Sequence, residues 1–419
     1  MCVKKQKNIA ILLNTYAAIA FLLRASALSF KNINCLGASV FEVIETTENL
    51  EAFMGKISAA TWLALDTEFL REKTYYAKLC LIQIEAEGHR ACVDPLSIKD
   101  MSSLIDVLND PDVTIVLHAA HQDMEILLQL SGKVPAPIFD TQVAAAVLGL
   151  GDTMAYARMV EQMLGVAIDK SQVRTDWSRR PLKEAQLKYA IDDVRYLAQI
   201  YPMMLEKLNA QSRLNWLDKD FAKACNPETY AINAEQRWKK IRGNQVLKRP
   251  QLAILRELAA WRENLAEQKN LPRKWIISDD ILIDLARQNP QSSQEIGQIR
   301  GINADRTKKY HQRWLDLIKK GIESPEDEWP ELPRSKKPTS TQNGVIDLLM
   351  LVIQAKAKEQ GITPTVIAGR KQVANMIQSD NIQLADDWRG EIVNDTFARV
   401  LAGEMVLCIE NAKLTLKDA

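Results

Sequence analysis

Trp62-Leu63-Ala64-Leu65-Asp66-Thr67-Glu68-Phe69 decides the reading of this chain. Its apolar residues predict a strand. On a strand, residues two apart share a face, so Asp66 and Glu68 project together while Leu65 and Thr67 look the other way. Two other stretches carry acids in similar settings. Val116-Leu117-His118-Ala119-Ala120-His121-Gln122-Asp123 runs from an apolar strand into a helix, placing Asp123 where an α/β sheet holds ligand-binding groups. Tyr189-Ala190-Ile191-Asp192-Asp193 sits in a helical pattern, where residues four apart lie side by side, so Tyr189 and Asp193 share one face.

Around these stretches the pattern predicts strands over 62–69, 78–85, 91–94 and 113–117. It predicts helices over 47–57, 102–108, 122–130, 141–150 and 182–205. That mixture implies an α/β domain with a mixed sheet, assigned to residues 39–210. Beyond about residue 206 strand signals vanish. We expect a helical linker over 211–247, a helical bundle over 248–323, a proline-rich linker over 324–338 and a second bundle over 339–419, both bundles all-α. The bundles read as weak copies: Leu265-Ala266-Glu267-Gln268-Lys269-Asn270-Leu271-Pro272 parallels Lys356-Ala357-Lys358-Glu359-Gln360-Gly361-Ile362-Thr363.

At 419 residues, two or three domains are expected. The formal net charge of +1 means that any basic surface is local, and an acidic cluster offsets it in the sum. Six scattered cysteines without a CxxC pair argue against a zinc site and a disulfide framework. Lys4, Lys5 and Lys7 precede an apolar run from Ile9 to Leu23, so residues 1–38 read as a targeting segment or a mis-assigned start. The run is too short and too broken by Asn14 and Thr15 for a membrane span. No stable membrane partner and a cytoplasmic location are therefore expected. No GxxxxGK[ST] phosphate loop is present, which excludes a nucleoside-triphosphate-driven motor of that type.

Carboxylates converging without basic partners repel unless divalent cations neutralise them. All-oxygen ligation favours Mg2+ or Mn2+. Two such ions suit an in-line phosphoryl displacement by water, with the Tyr189 hydroxyl placed to orient that water. Several neighbours read differently. Asp192 points about 100° away from Asp193 around a helix. Asp140 reads as an N-cap, Asp94 as a turn, and His118 and His121 as core or surface residues. Gln83 is a candidate contact to a terminal nucleotide, or a structural hydrogen bond. Arg71, Lys73, Lys170, Arg174, Arg179 and Arg180 are candidates for a phosphate channel, and Trp177 or Tyr75 for stacking a base.

Together the three acidic stretches resemble the exonuclease motifs of the DEDD superfamily, in its tyrosine-bearing subgroup. The histidine-bearing subgroup places His five residues before the last Asp, where this chain has Lys188. More narrowly the chain resembles the ribonuclease D family, through Asp66-Thr67-Glu68-Phe69-Leu70-Arg71-Glu72-Lys73-Thr74-Tyr75-Tyr76, Leu79-Cys80-Leu81-Ile82-Gln83, and Lys170-Ser171 to Asp176-Trp177-Ser178-Arg179-Arg180-Pro181-Leu182. Ala77 departs from the family, which commonly has proline there. The resemblance implies a ribonuclease H-like exonuclease domain, with Asp66, Glu68, Asp123 and Asp193 as metal-binding acids for two divalent ions and Tyr189 positioning water. It implies a 3′→5′ exoribonuclease that releases nucleoside 5′-monophosphates from RNA with a single-stranded 3′ end, with tRNA precursors among its partners. A monomer is expected. The helical blocks resemble HRDC domains, carried by Leu258-Ala259-Ala260-Trp261-Arg262 and Leu271-Pro272-Arg273-Lys274-Trp275-Ile276, and less closely by Trp388-Arg389-Gly390. In the first block the resemblance makes Arg273, Lys274, Arg300, Lys308 and Lys309 candidate phosphate ligands. Two alternatives stay open on the residues: a 3′→5′ DNA exonuclease of the same superfamily, and a non-catalytic RNA-binding module.

Overall fold

A computed structural model describes residues 41–169, 172, 175–302, 304–332, 337–379 and 382–419. The segment 1–38, Lys170 and Arg174 lie outside the described residues. The chain opens with β1 (Glu42–Ile44) and α1 (Thr47–Lys56), capped where the Asn49 N–H donates to the Thr46 hydroxyl. β2 (Trp62–Leu70), β3 (Lys78–Ala86) and β4 (His89–Val93) follow as an antiparallel run. Glu87 and Gly88 turn β3 into β4 with positive φ at both positions, the two-residue geometry that matches strand twist. Then come α2 (Ser102–Leu108), β5 (Thr114–Leu117), α3 (His121–Ser131), β6 (Ile138–Asp140), α4 (Thr141–Val147), α5 (Tyr156–Leu164) and the long α6 (Glu184–Ala210). The strands form one sheet in the order β1-β4-β3-β2-β5-β6, with β1, β5 and β6 parallel to their neighbours.

The two-residue period of β2 divides the core. Leu63 and Leu65, with Ile82, Ile84, Ile115 and Leu117, face α1, α2 and α3. Ala64, with Leu81, Cys92 and Val116, faces α4, α5 and α6. The four strands expected from apolar runs are present. The strands β1 and β6 were not anticipated, because three residues are too few to show a period; the nine-residue α5 was also not anticipated.

After α6 the chain runs through short 3-10 turns and α7 (Asp218–Ala224) into α8 (Arg249–Gln268), α9 (Arg273–Ile276), α10 (Asp279–Gln288), α11 (Ser293–Gln298) and α12 (Ala304–Glu323). These helices close around Trp314, Leu255, Leu258 and Leu282. Trp238, Ile241 and Leu247 join that core, so this bundle takes in residues from the expected linker. It docks on the β2–β3 loop. The N–H groups of Tyr75 and Tyr76 both donate to the Asn270 Oδ1 at 3.1 Å, and the Tyr75 hydroxyl donates to Glu263 at 2.6 Å. The Tyr76 hydroxyl donates to Glu267.

The last module holds α13 (Ser340–Gln360), α14 (Pro364–Ile367), α15 (Arg370–Gln378) and α16 (Trp388–Leu401). It corrects the all-α expectation, because β7 (Met405–Glu410) and β8 (Lys413–Asp418) end it as an antiparallel hairpin. Asn411 and Ala412 make the turn, both at positive φ. The usual Asn-Gly signature is missing there, which hid the hairpin.

This module has no separate core: Ile346, Leu349, Ile353, Val393 and Phe397 are continuous with the α4–α6 side of the exonuclease sheet. Backbones touch where the Thr363 N–H donates to the Ala146 carbonyl at 3.1 Å. Gly149, at φ +71°, would carry a Cβ only 2.3 Å from the Gly361 carbonyl oxygen, so no other residue fits that contact. Trp388 stacks on Trp216 with ring centroids 4.2 Å apart, and its Nε1 donates to the Trp216 carbonyl at 3.0 Å. Among the described residues, no helix is long and apolar enough to cross a membrane.

Trp388→Ala should therefore cost about 3–5 kcal/mol, and it should loosen the exonuclease domain as well as the last module. Urea unfolding followed by hydrogen exchange on β2 checks this. Undiminished protection in β2 would mean the two segments are energetically separate.

Candidate active site

β2 delivers Asp66 and Glu68 to the α6 side of the sheet, and α6 delivers Asp193. Carboxylate oxygens of the three lie within 4.8 Å of one another. They line a cavity of about 430 Å³ with Thr67, His118, Tyr156, Tyr189, and an apolar wall that includes Ile168 and Leu197. Tyr189, one helical turn before Asp193, is half-buried at its edge.

Asp123 is not in the group of three. It begins α3 on the opposite side of the sheet, and its Oδ1 accepts a 2.5 Å hydrogen bond from the Thr67 hydroxyl, the side chain that points away from Asp66 and Glu68. It still acts on the cluster through space, because its charge raises the pKa of both Asp66 and Glu68.

Burial and mutual repulsion dominate the electrostatics. Burial, then the charges of Asp193 and Asp123, hold Asp66 well above the usual carboxylate range. Burial, then Asp66 and Asp123, push Glu68 up to about 9. Burial, then Glu68 and Asp192, hold Asp193 well above its ordinary value. Asp123 rises to about 6 from burial, with the Thr67 hydrogen bond opposing. Tyr189 is raised by burial and then by Asp193, Glu68 and Asp66, so its hydroxyl keeps its proton. Among the described residues, no lysine or arginine contributes to the shifts of Asp66, Glu68 or Asp193. Three oxygen donors that lack cationic partners fit a hard divalent ion.

The surrounding residues sort by geometry. Asp140 caps α4, accepting from Gln142 N–H at 2.8 Å, and also holds the Ala119 and Ala120 N–H groups at 3.0 and 2.9 Å. Asp192 pairs with Arg195 at 3.5 Å, away from the cluster. His121 is exposed and stacks on Tyr230. His118 is half-buried, with its Nε2 2.9 Å from the Met154 carbonyl and its Nδ1 2.9 Å from the Thr141 hydroxyl; desolvation lowers its pKa.

The candidate substrate contacts divide sharply. Arg180 is spent on structure: it pairs with buried Asp94 through Nε and Nη2 at 2.5 and 2.7 Å, and donates to the carbonyls of Cys80, Trp177 and Arg179. All five of its N–H groups are thus matched, and Asp94 is a buried anchor rather than a simple turn. Trp177 is 2% exposed, its ring 6.1 Å from Tyr189, so it backs the tyrosine instead of offering a free face to a base. Gln83, in register with Asp66, is fully enclosed and lies outside the cavity lining. Arg179 is exposed and pairs with Asp176 at 3.2 Å. Arg71 pairs with Glu125 at 2.7 Å, and Tyr75 is bound to Glu263. In the first bundle, Lys274, Arg300, Lys308 and Lys309 are exposed, whereas Arg273 pairs with buried Glu263. Sequence reasoning missed Tyr156: it stands at the head of an apolar stripe with Met159, Val160, Met163 and Leu164, and only the packing of α5 on α6 shows that its hydroxyl meets Asp193.

An acidic cavity fed by the centre of a mixed sheet and one long helix defines the class of protein. A family model described as 3′-5′ exonuclease matches residues 41–209, and the HRDC domain model matches residues 251–318. The chain is 34% identical over 394 residues to ribonuclease D of Bartonella henselae, covering 92% of this chain and 97% of that one. It is 35% identical over 384 residues to ribonuclease D of Sphingobium indicum, covering 90% and 98%. The crystal structure of Escherichia coli RNase D, titled an exoribonuclease involved in structured RNA processing, superposes with a TM-score of 0.75 at 31% identity, covering 87% of this chain and 99% of that one. The chain belongs to the ribonuclease D family and is a nuclease.

Groups whose folded pKa is raised favour the folded state most at low pH, and that contribution is lost as pH rises through the folded value. With Glu68 at about 9 and Asp123 at about 6, the metal-free protein should lose stability as pH rises from about 5 to about 9, starting above the ordinary carboxylate values near 4. Glu68→Gln should flatten the slope. Thermal unfolding midpoints in EDTA across that range check this, and a flat profile for the unsubstituted protein would refute the repulsive cluster.

Proposed function

We propose that the chain is a 3′→5′ exoribonuclease that hydrolyses single nucleotides from RNA 3′ ends and releases nucleoside 5′-monophosphates. The observation that carries this is the convergence of carboxylate oxygens of Asp66, Glu68 and Asp193 within 4.8 Å of one another. Asp66, Glu68 and Asp193 are assigned as holding two divalent ions, Mg2+ or Mn2+, with Asp123 adding its charge from the Thr67 side. When bound, such ions activate water and offset charge at the phosphoryl group. The Tyr189 hydroxyl, kept protonated by burial and then by its acidic neighbours, orients the attacking water by hydrogen bonding. The apolar wall around Ile168 and Leu197 excludes bulk water from the reacting end.

The substrate follows from the family. The Escherichia coli relative is described as processing structured RNA, and this chain is assigned the same class, with tRNA precursors as the particular substrates. Exposed Lys274, Arg300, Lys308 and Lys309 supply salt-sensitive phosphate contacts that read no sequence. The protein is proposed to act as a cytoplasmic monomer.

Asp66→Asn should abolish shortening of a 5′-labelled RNA with a single-stranded 3′ tail while leaving RNA binding within about twofold, because the phosphate contacts lie elsewhere. Tyr189→Phe should slow the reaction by at least about a hundredfold while keeping metal binding. A time course with Mg2+ or Mn2+, with EDTA, and on a matched DNA tail tests the reading. A one-nucleotide ladder on RNA, lost with EDTA and in Asp66→Asn, is expected. Faster shortening of the DNA tail would move the assignment to a DNA exonuclease, and no shortening of either would favour a binding module.

A further inference from the structure

We propose that Tyr156 is a positioning residue, whose hydroxyl pins the backbone of α6 at Asp193 and so sets where the third carboxylate meets Asp66 and Glu68. The inference rests on the reading of the acidic cluster as a metal site.

Tyr156 opens α5, which packs along α6. Its hydroxyl donates to the main-chain carbonyl of Asp193, and lies 3.2 Å from that of Asp192. These carbonyls are inside the long helix, so the bond adds a lateral tie to groups already serving the helical ladder. A hydroxyl has one proton. Here it is committed to the backbone, although the ring lines the cavity, so Tyr156 has no proton left to give a substrate.

The other side of the ring shows why this tie matters. Tyr156 lies against His118, with ring centroids 5.4 Å apart. His118 is itself fixed at both nitrogens, to Met154 just before α5 and to Thr141 at the start of α4. It directly follows β5 and leads into the Ala119-Ala120 turn that Asp140 holds and that launches α3 with Asp123. One tilted pair of rings therefore spans from the segment that places Asp123 to the backbone that carries Asp193. The acids on β2 are spaced by the strand itself. Asp193 arrives on a separate helix, and of the described side chains only Tyr156 ties its main-chain carbonyl through a hydrogen bond. Residues that orient metal ligands without touching the metal typically contribute about 10–100-fold in affinity.

The test is Mn2+ binding to the metal-free full chain by calorimetry, for the unsubstituted protein, Tyr156→Phe and Asp66→Asn, alongside kcat and KM on a short RNA oligonucleotide and the unfolding midpoint in EDTA. Phenylalanine keeps the ring and its packing on His118 and removes only the hydroxyl. Tyr156→Phe is expected to bind Mn2+ at least about tenfold more weakly, with kcat reduced, KM little changed and the midpoint retained. Equal Mn2+ affinity in Tyr156→Phe, with binding lost in Asp66→Asn, would overturn the pin and leave the metal site standing. Weaker binding that comes only with a collapsed midpoint would also overturn it, because general loosening then explains both. Binding by the unsubstituted protein that ignores Asp66→Asn would overturn the metal reading, and the pin with it.

Discussion

Mutual repulsion among buried carboxylates is the constraint around which the rest of this protein is arranged. Asp66, Glu68 and Asp193 are drawn together with no cation from the described residues acting on them, and each is pushed toward its protonated form. Such a site is unfavourable for folding in the absence of metal, so the surrounding structure must hold it. The central strand of a six-stranded sheet supplies two of the acids, and a 27-residue helix laid across that sheet supplies the third. Neither element can shift without disturbing the packed core behind it.

The supporting side chains follow the same logic. Arg180 spends every donor on Asp94 and three carbonyls, which secures the loop before α6 and seats Trp177 behind Tyr189. Thr67 occupies Asp123 from the far side of the strand, and Asp140 clamps the turn that launches α3. The cluster is thereby positioned by neutral contacts and by ion pairs that lie one layer away, which leaves the carboxylates themselves available to metal.

How much of this could be read from the sequence depended on whether a signal was periodic. β2 was legible because its apolar residues alternate with Asp66 and Glu68, and the Tyr189–Asp193 pair because four residues make a helical face. The role of Asp140 as a cap was legible from its place before a helix. The engagement of Arg180 was not, because its partner Asp94 lies 86 residues away in the chain. An exposed arginine and a buried structural one look alike in sequence. Trp177 was a candidate for stacking a base, and Gln83 for a nucleotide contact or a structural hydrogen bond; both are enclosed, and burial at a loop or at a sheet centre has no local signature. The hairpin β7–β8 was hidden by an Asn-Ala turn and by strands that pack on helices already assigned to an all-α block.

The shared core of the exonuclease domain and the last module has a consequence for how the chain is made. In sequence there are three modules, but the first and third enclose one apolar interior while the middle bundle encloses its own. The folding unit that contains the acids is therefore discontinuous, with the middle bundle inserted in it. During synthesis the apolar cluster that Ile346, Leu349 and Phe397 complete lacks that part until residues 340–401 emerge from the ribosome. A chain released before those residues carries an open apolar face on its exonuclease domain.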